Sequence, residues 1–148
     1  MSRLKKENIK KRENEFMNWL NSKFNINLEM QKNEFSGNDF FNKEYIIELK
    51  NRNDNYSTKM IELYKLTANY QKAQLSNRQF IYCVVDANGA SIFNISKNID
   101  KILNLKIQNK KMAHTEHFES KDPIMKVHYN LPKELAEFWE LEYNTELL

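Results

Sequence analysis

Residues 36–50, with the sequence SGNDFFNKEYIIELK, combine a turn signal, an apolar strand and closely spaced charged side chains. Residues 36–38 are typical turn formers, and residues 45–50 predict a strand whose first half is buried. Because side chains alternate between the two faces of a strand, Glu48 and Lys50 lie on the same face. Burying a carboxylate and an ammonium removes their hydration, a cost that is usually tolerated only with a partner or a function.

The sequence on both sides of this stretch predicts a single α/β domain with a mixed sheet. Residues 3–24 place apolar side chains at helical spacing, and residues 80–86 form an apolar run typical of a central strand. We assign residues 1–148 to one domain, with a core over 9–95 and a C-terminal extension over 96–148 that ends in a helix. The predicted order is a helix over 3–24, strands over 26–35, 39–41 and 45–50, a helix over 57–75, strands over 80–86 and 90–95, a short helix over 99–107, extended segments over 112–118 and 124–129, and a last helix over 133–143.

The composition excludes several classes of protein. The 148 residues contain one cysteine, Cys83, which excludes a disulfide framework within the chain and a cysteine-rich zinc site. Only two glycines occur, so a Gly-rich phosphate loop is absent, and no apolar run is long enough to span a membrane. We therefore expect a soluble, cytoplasmic protein. The abundance of asparagine and lysine is typical of an AT-rich genome, which favours a phage or a low-GC bacterium as the source.

The charged residues of the opening stretch are suited to metal-assisted phosphodiester hydrolysis. Asp39 and Glu48, on adjacent strands, would offer hard oxygen ligands to Mg²⁺, with Mn²⁺ as a substitute. Lys50 would orient the attacking water and stabilise charge on the transition state. The alternative is that Glu48 and Lys50 form a surface ion pair on an edge strand, because Glu-x-Lys is a common tripeptide.

This pattern resembles the core of the PD-(D/E)xK nuclease superfamily, and within it the small phage nucleases similar to Holliday-junction resolvases. The resemblance covers about residues 9–95 and implies a restriction-endonuclease-like core: a helix, a three-strand meander, a helix and a further strand. It implies Asp39 and Glu48 as metal ligands and Lys50 as the catalytic lysine. The family often adds a glutamate from the first helix, for which we choose Glu13, with Glu15 as the alternative.

The resemblance implies a Mg²⁺-dependent DNA endonuclease that acts as a homodimer, with junction resolution and nicking as open alternatives. Arg52, Lys59 and Lys65 would contact the phosphate backbone of DNA. Each of these three cations is individually more common as a solvated charge. The net charge of +3 is too small to indicate nucleic-acid binding by itself.

Two other functions fit the sequence. The chain could be a non-catalytic phage structural or interaction protein that keeps a nuclease-like scaffold. It could also be a protein-binding module that uses an acidic C-terminal helix as its contact surface. His114 and His117 form a His-x-x-His pair, but no further ligand indicates a zinc site.

Overall fold

The part of the chain that the structure describes folds into three α-helices and nine strands, which the apolar runs and the helically spaced apolar residues of the sequence form. A computed structural model describes residues 3–33, 35–112 and 124–143. Its elements are α1 (Arg3–Phe24), β1 (Glu29–Met30), β2 (Phe40–Phe41), β3 (Tyr45–Asn51), β4 (Lys59–Glu62), α2 (Leu63–Leu75), β5 (Gln79–Asp86), β6 (Gly89–Asn94), α3 (Ile99–Leu103), β7 (Gln108–Met112), β8 (Ile124–Leu131), a 3₁₀ turn (Lys133–Leu135) and β9 (Phe138–Leu141).

Six strands form a mixed sheet in the order β1-β2-β3-β5-β6-β9. β3 and β5 run parallel, and every other neighbouring pair in this sheet is antiparallel. β5 is buried along all but its first residue, as expected for an apolar strand in the middle of a sheet. The predicted α/β class and mixed sheet are therefore confirmed.

Each face of this sheet has its own apolar core. Ile47 of β3 shares a buried cluster with Phe16 of α1, whereas Ile46 shares another with Leu66 of α2. This alternation is expected of a strand that is covered on both faces. Glu48 follows Ile46 by two residues and therefore lies on the α2 side of β3.

The second sheet has the order β4-β8-β7 and corrects the predicted helix over 57–75. Residues 59–62 form β4, which pairs antiparallel with β8 and sets Ile61 opposite Tyr129. Ile61 is fully buried, so pairing with a strand distant in sequence outweighs the local helical pattern. The helix α2 begins only at Leu63, and the prediction over 59–62 is wrong.

The last element among the described residues is a strand, so the helix predicted over 133–143 is wrong. A 3₁₀ turn at Lys133–Leu135 is followed by β9, which pairs antiparallel with β6. The Glu137 amide donates to the Ile92 carbonyl at 2.8 Å, and the Trp139 ring packs edge-on against Phe93 with centroids 6.4 Å apart. Because β9 covers the edge of β6, this segment completes the sheet, whereas a helix would leave the edge unpaired.

The smaller elements differ from the prediction mainly in length. The strand expected over 26–35 is reduced to β1, because β2 offers only two residues for it to pair with. The short helix expected over 99–107 ends at Leu103, and the segment expected over 124–129 is part of β8. Of the segment 112–118 only Met112 is described, and His114 and His117 lie outside the described residues. Within those residues, no helix is long and apolar enough to cross a bilayer.

Candidate active site

Asp39 and Glu48 come together where β2 begins beside β3. The strand pairing sets Phe40 opposite Ile47, and the Asp39 amide donates to the Ile47 carbonyl at 2.8 Å. One carboxylate oxygen of Asp39 accepts a hydrogen bond from the Leu49 amide, also at 2.8 Å. The backbone thus fixes the Asp39 carboxyl beside that of Glu48, and the two groups interact directly.

Burial of this carboxylate pair disfavours its negative charge. Glu48 is only 6% exposed and Asp39 is half-buried. Burial, and then the charge of Asp39, raise the pKa of Glu48 to about 8. Burial also raises the pKa of Asp39, although the hydrogen bond from the Leu49 amide opposes the shift. The site is therefore suited to hold a proton or a cation between the two carboxyls.

The first helix brings Glu13 to the same site. Burial raises the pKa of this half-buried side chain to about 7, and the negative charge of Asp39 adds to the shift. Glu15, the alternative, lies on another side of α1, where its charge contributes to the raised pKa of Tyr143. One Glu15 carboxylate oxygen is buried without a hydrogen-bond partner in the described part of the protein. Of the two candidates, the structure brings Glu13 close to Asp39.

Two lysines flank Glu48 on the α2 side of the sheet. The Lys65 Nζ lies 3.2 Å from Glu48 Oε1, and the Lys65 side chain is 41% exposed. Lys50 is two residues beyond Glu48 on the same strand face, and burial followed by the charge of Arg52 lowers its pKa. Glu62 opposes that shift and is itself paired with Lys126 of β8 at 3.1 Å. Lys126 shows that the C-terminal extension contributes to the surroundings of Lys50, which the sequence did not indicate.

A polar stripe on α2 anchors the loop that leads into Asp39. Lys72 donates to the Ser36 hydroxyl and, at 2.7 Å, to Asn38 Oδ1. Asn69 donates to the Gly37 carbonyl at 3.1 Å. Sequence reasoning missed both α2 residues, although Lys65, Asn69 and Lys72 have the i, i+4, i+7 spacing of one helix face.

Lys59 does not face the candidate site, so its predicted contact with DNA is wrong. The side chain is 1% exposed and its Nζ lies 2.7 Å from Asp86 Oδ2. It also donates to Asn55 Oδ1 and the Tyr56 carbonyl, each at 3.2 Å, and lies 4.7 Å from the centroid of a Trp139 ring. Because β4 turns Lys59 into the interior, its ammonium is satisfied within the protein and no phosphate can reach it.

Arg52 lies close to Lys50, just beyond the end of β3. It is half-buried, and its Nη2 donates to the Met60 carbonyl at 3.5 Å. Its Nε has no hydrogen-bond partner among the described residues. Of the predicted phosphate contacts, the structure therefore brings Lys65 to the carboxylate pair and Arg52 to Lys50, and the contact of both residues with DNA stays a prediction.

Asp39 and Glu48 are the residues suited to hold a divalent cation. Within the ranges that the structure describes, no three His, Cys, Asp or Glu side chains are gathered as a ready metal cage. Mg²⁺ does not need such a cage, since it is commonly bound by one or two carboxylates and keeps several waters. Two buried carboxyls with raised pKa values, and Glu13 near Asp39, fit that kind of site.

Comparison with known proteins gave no match, either to a protein-family model or to a curated protein sequence.

Proposed function

We propose that the chain is a metal-dependent DNA endonuclease with a PD-(D/E)xK-type active site. The observation that supports this function best is the buried Asp39–Glu48 pair, with Lys50 beyond Glu48 on the same strand face and Glu13 brought in by α1. On this proposal, α1, β1–β3, α2 and β5 correspond to the restriction-endonuclease-like core. The roles follow from the chemistry of each side chain.

Asp39 and Glu48 would hold Mg²⁺, or Mn²⁺ in its place, which when bound polarises a phosphate oxygen and lowers the pKa of water. Lys50 would donate hydrogen bonds to the attacking water and to the phosphate oxygens, where negative charge develops during hydrolysis. Glu13 would assist from the α1 side by adding a third carboxylate next to Asp39. Burial of the pair limits competition from bulk water for the same groups.

DNA is the proposed partner, and Arg52 and Lys65 are its proposed phosphate contacts. Lys65 lies beside the carboxylate pair, with its Nζ 3.2 Å from Glu48 Oε1, and Arg52 lies near Lys50. A homodimer would supply two such sites for two strands.

A second function is favoured by one contact, the ion pair between Lys65 and Glu48 at 3.2 Å. This pair partly neutralises the carboxylates without a metal, as a non-catalytic scaffold would require. In a scaffold, Glu48→Gln would change stability or assembly and would have no activity to remove.

The deciding experiment incubates the purified chain with supercoiled plasmid, linear duplex and a four-way junction, each in Mg²⁺, Mn²⁺ or EDTA. We expect cleavage of at least one substrate in either metal, none in EDTA, and none by Glu48→Gln. Glu44→Gln is the matched control, because Glu44 is an exposed carboxylate just before β3. Intact substrates in both metals, with a folded protein, would contradict the proposal.

A further inference from the structure

A cavity of about 550 Å³ adjoins the carboxylate pair, between α2 and the loop that precedes Asp39. We call it the aromatic cleft, and its lining includes Phe35, Gly37, Tyr64, Lys65, Asn69 and Lys72. The two aromatic side chains are unusually open to solvent, with Phe35 95% and Tyr64 73% exposed. Large aromatic rings are normally at least partly covered, so this pair is suited to a ligand.

The segment that follows Phe35 is hydrogen-bonded to α2. The Phe35 amide donates to Asn33 Oδ1 at 3.0 Å, and Lys72 and Asn69 bind the segment that follows. At Gly37 the backbone has a φ of +37°, which a side chain would strain, and an added Cβ would lie 3.4 Å from Asn69 Oδ1. The backbone directly after Phe35 is therefore held against α2, and Phe35 lies at the rim of the cleft.

The charge of the described lining favours an anionic ligand. Its described lining contains two lysines, Lys65 and Lys72, and no carboxylate. The Lys72 ammonium is close enough to Glu48 for that carboxylate to raise its pKa, although burial and Arg78 outweigh this effect. Lys65 joins the two places, because it lines the cleft and its Nζ lies 3.2 Å from Glu48 Oε1.

We propose that the aromatic cleft binds unpaired nucleotides of the DNA strand next to the scissile phosphate, an inference that rests on the proposed function. Bases would stack on Phe35 and Tyr64, while Lys65 and Lys72 contact the flanking phosphates. In a duplex the faces of the bases are covered by their neighbours, so exposed aromatic side chains gain a partner only from unstacked bases. The substrate class is therefore DNA that is single-stranded or locally unpaired at the cleavage point.

The test measures fluorescence anisotropy of labelled DNA in EDTA, so that binding is separated from cleavage. The probes are a single strand, the duplex of the same sequence, and the single strand with abasic residues. Phe35→Ala and Tyr64→Ala should each weaken binding of the normal single strand about fivefold to a hundredfold, because stacking of one base on an aromatic ring is worth that much. Neither substitution should affect the abasic strand to the same extent, and Tyr64→Phe should retain affinity.

Leu75→Ala is the control, since Leu75 is 84% exposed on the same helix and lies outside the lining of the cleft. Equal affinity of the wild-type chain for duplex and single strand would overturn the inference, as would unchanged affinity in both alanine variants. Tighter binding of an RNA strand of the same sequence would overturn the assignment to DNA.

Cleavage by the same proteins in Mg²⁺ separates the two proposals. If the wild-type chain cleaves DNA but the aromatic variants bind and cleave normally, the cleft assignment is wrong and the nuclease stands. If the aromatic variants lose affinity for single strands but no protein cleaves in Mg²⁺ or Mn²⁺, the cleft is supported as a DNA-binding site and the nuclease is wrong.

Discussion

Two buried charged clusters in the described part of the molecule differ in how their polar groups are paired. In the first, Lys59 is 2.7 Å from Asp86, with Asn55 and the Tyr56 carbonyl as further acceptors. In the second, the carboxyls of Asp39 and Glu48 lie side by side. Among the described residues, Lys65 forms an ion pair with Glu48 at 3.2 Å and none with Asp39. The Lys59 ammonium of the first has all three of its donors used within the protein, with Glu140 as a second carboxylate 3.6 Å away. The two carboxyls of the second have raised pKa values and would gain from an added cation.

This difference distinguishes a buried charge that stabilises the fold from a buried charge that is suited to bind a ligand. A buried ion pair whose donors and acceptors are all used stabilises one conformation and leaves no group free for a ligand. Burial raises the pKa values of both carboxyls of the second cluster, and the charge of Asp39 raises that of Glu48 further. Carboxyl groups with pKa values shifted in this way are common at catalytic sites.

The largest effect on stability should come from breaking the Lys59–Asp86 pair. Lys59→Met leaves Asp86 buried without its cation, so the free energy of unfolding should fall by about 3–5 kcal/mol in urea titrations. The double variant Lys59→Met/Asp86→Asn should recover part of that loss, because it removes the orphaned charge. Lys97→Met is the control, since Lys97 forms an exposed ion pair with Glu137, worth at most about 1 kcal/mol.

The largest effect on activity should come from Lys50. Lys50→Ala should lower turnover about a hundredfold to a thousandfold, because it removes a positioned group that stabilises charge in the transition state. DNA affinity and unfolding free energy should change little, as measured by anisotropy and urea titration. Lys43→Ala, at an exposed position before β3, is the control. Equal turnover in both variants would remove Lys50 from the mechanism.

Divalent metal should stabilise the second cluster and not the first. At a Mg²⁺ or Mn²⁺ concentration 100 times its dissociation constant, the wild-type chain should gain about 2.7 kcal/mol of stability. Glu48→Gln and Asp39→Asn should lose most of this gain, whereas Lys59→Met should retain it despite its lower starting stability. The measurement is thermal unfolding with and without metal, and equal stabilisation of all four proteins would argue against a site at Asp39 and Glu48.

The metal-free protein should become less stable as pH rises. The folded-state pKa values of Glu48 (about 8) and Glu13 (about 7) are raised above the ordinary glutamate value of 4.5. Between these values the folded chain binds more protons than the unfolded chain, so its unfolding free energy decreases with rising pH. Urea titrations in EDTA from pH 5 to 8.5 should show this slope, and Glu48→Gln should flatten it. An unchanged slope in that variant would mean that other groups cause it.

The local sequence was sufficient to predict the carboxylate pair, but it was not sufficient to predict the residues that surround the pair. Asp39, Glu48 and Lys50 lie within twelve residues, and the alternation of a single strand sets two of them on one face. Lys59 and the last strand were mispredicted because their environments depend on partners distant in the chain, β8 and Asp86 for Lys59 and β6 for β9. Local periodicity cannot report such pairings, which are decided by burial.

The polar stripe on α2 could be predicted from the sequence only in part. The spacing of Lys65, Asn69 and Lys72 is visible in the sequence, but only the folded chain shows that the stripe faces Glu48 and the Ser36–Asn38 turn. Glu13 was preferred over Glu15 from the apolar residues that follow it, and the two lie on different sides of α1. Successive residues of an α-helix are rotated by about 100°, so side chains two positions apart point in directions about 200° apart.

The most direct test of the account is the rate of plasmid cleavage in Mg²⁺ by the wild-type chain, Asp39→Asn, Glu48→Gln and the double variant. If the two carboxylates hold one catalytic metal, each single variant loses nearly all metal-dependent cleavage and the double variant loses no more, because residues that act as a unit are not additive. A wild-type chain that leaves plasmid intact, or single-variant losses that multiply in the double variant, would contradict a shared metal centre at Asp39 and Glu48.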